Sequence, residues 1–318
     1  MKLILHVVCG GVVFLALAEP GRAAEINYDE SKVPKYVLPD PLRPGNGKPV
    51  RSSTEWLRRG RPITLKLFEE HVYGRAPGKP NGTRFRSLSV DDNALGGTAI
   101  RKEVEILLLG KEESPSLELL VYIPKGAAKP VPVFLGLNFS GNQSVHPDPG
   151  IRITQRWVRN TGDGTVVNNR ATEKSRGCQS TRWAIEKALS RGFAVATFYY
   201  GDVEPDHPEG WKTGIRAALS KDGPATVFKP DEWGALAAWA WGLSRAMDYI
   251  ERDRMLDSKR VVLFGHSRHG KAALWAGAVD RRFAIVISNN SGCGGAALSR
   301  RRFGENVDRI NTVFPHWF

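Results

Sequence analysis

The feature that most constrains the fold is a strand, a glycine turn and a helix in direct succession. The apolar strand predicted at residues 260–264 leads into the sequence GHSRHGK, and an apolar helix is predicted at residues 267–279. Such a turn exposes a serine at the carboxyl end of a buried strand, as in a nucleophile elbow. Ser267 is therefore a candidate nucleophile, although His269 stands where the usual G-x-S-x-G pattern has its second glycine.

The same alternation of strand and helix patterns continues through the second half of the chain. Strands are predicted at residues 100–109, 117–123, 131–139, 193–200 and 284–288, and helices at 181–190 and 232–252, with Asp231 as N-cap of the latter. This order predicts an α/β fold, a three-layer sandwich around a mostly parallel sheet. We assign residues 100–318 to this domain and residues 25–99, which begin rich in proline and glycine, to an N-terminal wrap.

The first residues have the layout of a secretory signal peptide. A lysine at position 2 precedes an apolar run to Ala18, and small residues follow up to Ala24. Cleavage after Ala18, Ala23 or Ala24 fits the pattern. Residues 1–24 are therefore predicted to be a signal peptide, with an uncleaved membrane anchor as the alternative. We expect a secreted or periplasmic protein that is not bound to a membrane.

The charge balance narrows the partners only slightly. The chain carries 46 Lys and Arg against 33 Asp and Glu, a formal net charge of +13, which favours polyanions. Nucleic acid is not expected, because an exported protein rarely meets it and no basic and aromatic recognition motif is present. An acidic polysaccharide fits better, and a merely solvated basic surface explains the charge as well.

Two cysteines lie outside the predicted signal peptide, Cys178 and Cys293. Export permits a disulfide between them, but the sequence leaves open whether they approach each other. Neither cysteine has the spacing of a metal ligand, and we expect no cofactor.

The local sequence leaves two roles open for Ser267. Gly265 gives room for a sharp turn, and the backbone N–H of Arg268 at the helix start is placed to donate to an oxyanion. These features favour a nucleophile. Serine is also a good helix N-cap, however, and a purely structural cap fits the same position.

The block around Ser267 resembles one family. Gly265, Ser267, Arg268, Gly270 and Lys271 match the G-x-S-R-x-G-K block of the glucuronoyl esterases, carbohydrate esterase family fifteen, particularly of its bacterial members. Similar stretches lie at residues 137–142 (LNFSGN), 191–193 (RGF), 200–202 (YGD), 239–249 and 314–318 (FPHWF). The resemblance extends from about residue 100 to the end of the chain and implies an α/β-hydrolase fold.

The resemblance also implies an activity and a set of residues. It implies an esterase that cleaves 4-O-methyl-glucuronoyl esters between glucuronoxylan and lignin alcohols through an acyl-enzyme. Ser267 would be the nucleophile, Arg268 would hold the oxyanion with a guanidinium that stays charged, and Lys271 and Glu305 would contact the sugar hydroxyls. Otherwise Lys271 is a solvated helix charge and Glu305 a surface carboxylate. We expect lignin-carbohydrate esters as partners and a monomeric protein.

A catalytic histidine is harder to find. The α/β-hydrolases order their triad as serine, acid, histidine, and beyond Ser267 the chain has only His269, on the elbow itself, and His316. His316, with Asp308 or Glu305 as its acid, is not favoured, because only one predicted strand separates it from the nucleophile. We interpret His316 as a structural histidine between aromatic side chains.

The acid is missing from its alternative position as well. Asn290 stands where some family members carry a glutamate, and an amide cannot stabilise an imidazolium as a carboxylate does. We therefore expect the acid, the base and the last strands to lie beyond Phe318, and the 318-residue chain itself to be inactive.

Two other functions remain open at this point. One is an esterase acting on another carbohydrate ester, such as acetylated xylan, which would not need Lys271 and Glu305. The other is a carbohydrate-binding protein that keeps the cleft and lacks catalysis.

Overall fold

The computed structural model describes residues 26–220 and 228–318, so the predicted signal peptide lies outside the described residues. The strands of the described residues are β1 (Arg84–Asn93), β2 (Ala99–Leu107), β3 (Ser116–Pro124), β4 (Val131–Asn138), β5 (Val166–Val167), β6 (Arg170–Ala171), β7 (Ala194–Tyr199), β8 (Leu256–His266) and β9 (Ile285–Asn289). Seven of them form one sheet in the order β1-β2-β3-β7-β4-β8-β9, and β5 pairs with β6 separately.

The α-helices of the described residues are α1 (Ser53–Glu55), α2 (Arg61–Phe68), α3 (Ala94–Gly97), α4 (Ile185–Ser190), α5 (Ile215–Leu219), α6 (Ala235–Ile250), α7 (Arg268–Val279) and α8 (Val307–Val313). Two π-helical turns, Trp56–Gly60 and Glu69–Tyr73, extend α1 and α2 into one helical segment. Among these described helices, none is both long enough and apolar enough to cross a membrane.

The sheet separates two apolar cores. Along β3, Leu119 and Val121 contribute to one core and Leu120 and Tyr122 to the other, because successive side chains of a strand point to opposite faces. Helices α6 and α7 complete the first core, and α4 completes the second. The predicted three-layer α/β sandwich is confirmed.

The parallel part of the sheet brings three loops to one edge. Strands β7, β4, β8 and β9 run parallel to one another, whereas β1–β2, β2–β3 and β3–β7 are antiparallel pairs. The segments that leave the carboxyl ends of β7, β4 and β8 therefore meet at the same edge, where ligands bind in open α/β sheets. Ser267 follows β8 directly at this edge.

Helix α6 shows where a local prediction was wrong. It begins after Gly234 rather than after Asp231, and Asp231 accepts a hydrogen bond from Arg75 Nε at 2.9 Å instead. The backbone carbonyls of His316 and Trp317 accept from the first two N–H groups of α6, at 2.9 and 3.1 Å. A side-chain cap is unnecessary, because a distant chain segment satisfies these donors.

The predicted wrap contains more structure than its composition indicated. Residues 53–73 are helical, and β1 pairs with β2 across the predicted boundary at residue 99. The apolar residues Phe85, Leu88 and Val90 were the available signal, but their alternation is broken where the β1–β2 register shifts between Ser87 and Ser89. Cys178 and Cys293 are not bridged; the former is exposed and the latter buried.

Candidate active site

Ser267 sits on a strained turn between β8 and α7. Its φ of 56° and ψ of −127° lie where residues other than glycine are rare, and such a conformation costs about 1–3 kcal/mol. A side chain at Gly265 would place a Cβ only 2.1 Å from the His269 carbonyl oxygen, so only glycine fits this turn. The Ser267 N–H donates to the Asn289 carbonyl at 2.9 Å and ties the turn to β9.

The hydroxyl of Ser267 does not cap α7. The residue occupies the N-cap position, but its side chain makes no capping hydrogen bond. Its backbone carbonyl instead accepts from the N–H groups of Gly270 and Lys271, at 2.8 and 3.1 Å. The alternative of a purely structural cap is therefore contradicted, and the strain has no capping bond to account for it.

Arg268, the first residue of α7, projects its guanidinium into an aromatic cage. The guanidinium carbon lies 4.8 Å from the ring centre of Trp317, 5.4 Å from that of Phe314 and 5.9 Å from that of Phe139. Cations are attracted to the faces of such rings. One terminal nitrogen, Nη1, donates to Asp206, and the buried Nε has no partner in the described part of the chain.

Lys271 and Glu305, 34 residues apart, lie in contact. Lys271 Nζ donates to Glu305 Oε2 at 3.3 Å and lies 5.4 Å from the ring centre of Trp317. Burial lowers the pKa of Lys271, and Glu305 offsets this effect only in part. Arg268 and Lys271 thus approach the same indole, and the sequence-predicted residues Ser267, Arg268, Lys271 and Glu305 surround one end of α7.

Asp206 is a site residue that the sequence analysis missed. It is fully buried, and its carboxylate accepts from His316 Nε2 and Trp317 Nε1, both at 2.8 Å, from Tyr200 Oη at 3.0 Å and from Arg268. Burial alone would raise the pKa of Asp206, but the His316 N–H and the Arg268 charge outweigh it and hold that pKa well below its usual range. The available signal was its position shortly after β7, at the carboxyl edge of the parallel strands.

Among the described residues, neither His269 nor His316 makes a hydrogen bond to the Ser267 hydroxyl. His269 stacks on Phe139 with ring centres 3.8 Å apart and places Nδ1 3.1 Å from the Leu137 carbonyl oxygen. Burial lowers the pKa of His269 to about 3, so its imidazole is neutral. His316 is buried beside Trp317, as the structural interpretation predicted, but its carboxylate partner is Asp206 rather than Asp308 or Glu305.

Comparisons with known proteins agree with this geometry. Residues 189–313 match the family described as glucuronyl esterase, fungi. The chain is 51% identical to a carbohydrate esterase of an unknown prokaryotic organism, over 92% of this chain and 67% of the relative. It is 47% identical to a 4-O-methyl-glucuronoyl methylesterase of Schizophyllum commune, over 83% of this chain and 52% of the relative. The structure of the glucuronoyl esterase from Solibacter usitatus superposes with a TM-score of 0.84 at 48% identity, covering 91% of this chain and 72% of that one.

A sheet with four parallel strands between helical layers, and a serine on the turn after a central strand, defines the class of the α/β-hydrolases. Within that class, the chain belongs to the glucuronoyl esterases of carbohydrate esterase family 15. The resemblance predicted from the GHSRHGK block is thereby confirmed. The chain spans about half to three quarters of the length of the relatives it matches.

Proposed function

We propose that this protein is a serine esterase that hydrolyses 4-O-methyl-glucuronoyl esters joining glucuronoxylan to lignin alcohols. The observation that carries the proposal is the strained Ser267, whose hydroxyl does not cap the helix it precedes. Backbone strain of this kind is kept where the surroundings over-determine it, and it is concentrated at functional sites. The relatives named above add the substrate class.

Ester cleavage takes two steps, acylation of Ser267 and hydrolysis of the acyl-enzyme. Ser267 Oγ attacks the ester carbonyl carbon while a general base takes the hydroxyl proton, and the carbonyl oxygen becomes an oxyanion next to Arg268. Collapse of this intermediate breaks the bond to the alcohol, which receives that proton, and leaves the glucuronoyl group on Ser267. Water, deprotonated by the same base, then attacks the acyl-enzyme and releases the free acid and Ser267. The Arg268 guanidinium and the N–H groups of the first turn of α7 stabilise the negative charge that develops on the oxygen.

Sugar recognition is assigned to Lys271 and Glu305, beside the same indole as Arg268. Lys271 donates and Glu305 accepts hydrogen bonds, so together they complement vicinal ring hydroxyls, each of which both donates and accepts. An acetyl group has no hydroxyls to satisfy this pair. The Lys271–Glu305 pair therefore supports a uronate ester rather than an acetyl ester as the substrate.

The setting of the enzyme completes the proposal. Residues 1–24 act as a signal peptide, and the mature protein works as a secreted or periplasmic monomer. Residues 100–318 form most of the catalytic domain, and residues 25–99 precede it and add strand β1 to its sheet. Glucuronoxylan and lignin-carbohydrate esters are its partners, without nucleic acid or membrane.

The test compares two esters of one alcohol. The full-length protein is assayed with the benzyl ester of glucuronic acid and with benzyl acetate, and Ser267→Ala provides the blank. We expect kcat/KM to favour the glucuronate ester, because only that substrate engages Lys271 and Glu305. Faster turnover of benzyl acetate or of acetylated xylan would instead favour an acetyl esterase, and binding of glucuronoxylan without turnover would favour a binding protein.

A further inference from the structure

We propose that Asp206 is a positioning residue for the oxyanion site: its buried carboxylate holds the Arg268 guanidinium beside the nucleophile. The inference rests on the proposed function of Ser267 and Arg268. It adds a residue that lies 62 positions away from Arg268 in the chain. Asp206 itself does not contact the reacting ester and acts through the arginine.

The carboxylate joins three separate parts of the fold. Arg268 belongs to α7, Tyr200 follows β7, and His316 and Trp317 come from the segment after α8. All four donate to the two oxygens of Asp206. Because a fully buried carboxylate needs paired donors, moving any one of these parts leaves the charge less well satisfied. The arrangement therefore favours one position of the guanidinium.

The aromatic contacts of Arg268 add no counter-charge, but they hold the plane of its guanidinium in one orientation. Trp317 lies against the guanidinium at 4.8 Å and is itself held by its hydrogen bond to Asp206. Asp206 thus anchors both the arginine and the ring beside it. Asp206 bonds Nη1 of Arg268 and Nε is buried, so Nη2 is the nitrogen of this guanidinium left to donate to an oxyanion.

A second buried carboxylate in the same segment provides a matched comparison. Glu204 is also fully buried, and it pairs with Arg216 through hydrogen bonds of 2.7 to 3.0 Å. Arg216 also donates to the Trp233 carbonyl, and this pair makes no hydrogen bond to α7 within the described residues. Replacing either acid by its amide removes one buried charge from an arginine, but only Asp206→Asn releases Arg268.

The experiment is a double-mutant cycle in the full-length protein with Asp206→Asn, Arg268→Ala and the combined variant, and with Glu204→Gln as control. We expect Asp206→Asn to lower kcat about 10-fold or more with a smaller change in KM, because an oriented oxyanion donor acts mainly in the transition state. In the Arg268→Ala background, Asp206→Asn should alter kcat less than about 2-fold, because the effects of substitutions at two contacting residues do not simply add. Glu204→Gln should lower the melting temperature and leave kcat unchanged.

Two results would overturn the proposal: an unchanged kcat in Asp206→Asn, or losses that multiply in the double variant. If Asp206→Asn does not fold, Asp206→Glu keeps the charge and displaces the carboxylate by one methylene, with Glu204→Asp as its control. A kcat at least about 3-fold lower in Asp206→Glu, with Glu204→Asp unchanged, supports positioning; equal kcat values contradict it.

Running the cycle on both 4-nitrophenyl acetate and the benzyl glucuronate ester separates this proposal from the proposed function. Both esters form an oxyanion, so Asp206→Asn should slow both by a similar factor. If the unmodified protein hydrolyses 4-nitrophenyl acetate but not the benzyl glucuronate ester, the substrate assignment of the proposed function is wrong. An effect of Asp206 on the glucuronate ester only would contradict an oxyanion role.

Discussion

The two cations on the first turns of α7 share one indole and are anchored very differently. Arg268 is paired with Asp206, which is fully buried and accepts three further hydrogen bonds. Lys271 is itself almost entirely buried, with 3% of its side chain exposed, but its partner Glu305 is 37% exposed. The partner of Arg268 is thus a carboxylate of the protein interior, whereas the partner of Lys271 is an exposed carboxylate.

The difference in anchoring matches the two proposed roles, oxyanion stabilisation by Arg268 and sugar binding by Lys271. An oxyanion forms at the same place in every ester, so its partner gains from being held rigidly before reaction. Sugar hydroxyls arrive only with the substrate. Lys271 has one long hydrogen bond, to Glu305, and can replace it with a bond to a sugar hydroxyl without disrupting other hydrogen bonds. Burial also lowers the pKa of Lys271, so its ammonium loses a proton more readily than an exposed lysine does. The following predictions test this division.

The largest effect is expected at Ser267, the nucleophile next to both cations. Ser267→Ala removes the nucleophile and should lower kcat about 10⁵-fold or more on every ester, as in other serine hydrolases. Stopped assays with the benzyl glucuronate ester and 4-nitrophenyl acetate measure this loss. The matched control is Ser288→Ala, which removes a nearby hydroxyl that donates to the Gly270 carbonyl at 3.2 Å. Similar losses in both variants would show that the turn, rather than the hydroxyl, is required.

The next largest loss of activity is expected for Arg268, the cation that is held by a buried carboxylate. Arg268→Ala should lower kcat about 10²-fold to 10³-fold on both esters, the usual cost of losing one oxyanion donor. Arg268→Lys should recover little of it, because an ammonium cannot keep the planar contact with Trp317 and also bond Asp206. A loss of activity on the glucuronate ester alone would mean that Arg268 contacts the sugar rather than the oxyanion. The two cations would then not differ in role.

The exchangeable side should respond in a substrate-dependent way. Lys271→Ala should lower kcat/KM about 10-fold to 100-fold for the benzyl glucuronate ester, because a hydrogen bond from a charged donor is lost. Hydrolysis of 4-nitrophenyl acetate should change less than about 3-fold, since this substrate has no sugar hydroxyls. Equal losses on the two esters would mean that Lys271 supports the fold or the oxyanion instead.

The smallest effect is a shift along the pH axis. Burial places the pKa of Lys271 below its ordinary value, so the glucuronate ester rate should fall at alkaline pH as the ammonium loses its proton. Glu305→Gln removes the negative charge that raises this pKa, so the fall should begin at lower pH. Rate profiles between pH 6 and pH 10 measure the midpoint, about a few tenths to one pH unit lower in the variant. An unchanged midpoint would contradict the pairing of Lys271 with Glu305.

Much of the fold was predictable because it depends on local patterns. The strand expected at residues 131–139 is β4, Val131–Asn138, and the helix expected after Ser267 is α7, Arg268–Val279. Buried parallel strands are almost continuously apolar, so their positions are encoded in short windows. Strand β1 was missed because it is an edge strand in which no residue is fully buried, and a register shift between Ser87 and Ser89 breaks its alternation.

The sequence by itself determined the strand-turn-helix context of Ser267, and its motif placed Arg268 and Lys271 on the following helix. These residues are neighbours in the chain, so the turn and the helical repeat decide their relative positions. Only the tertiary structure decided that Asp206 lies beside Arg268, that His316 pairs with Asp206, and that Gly234 rather than Asp231 precedes α6. Those contacts join segments tens of residues apart, because strand order brings the carboxyl ends of β7 and β8 to one edge, and sequence spacing does not encode that order.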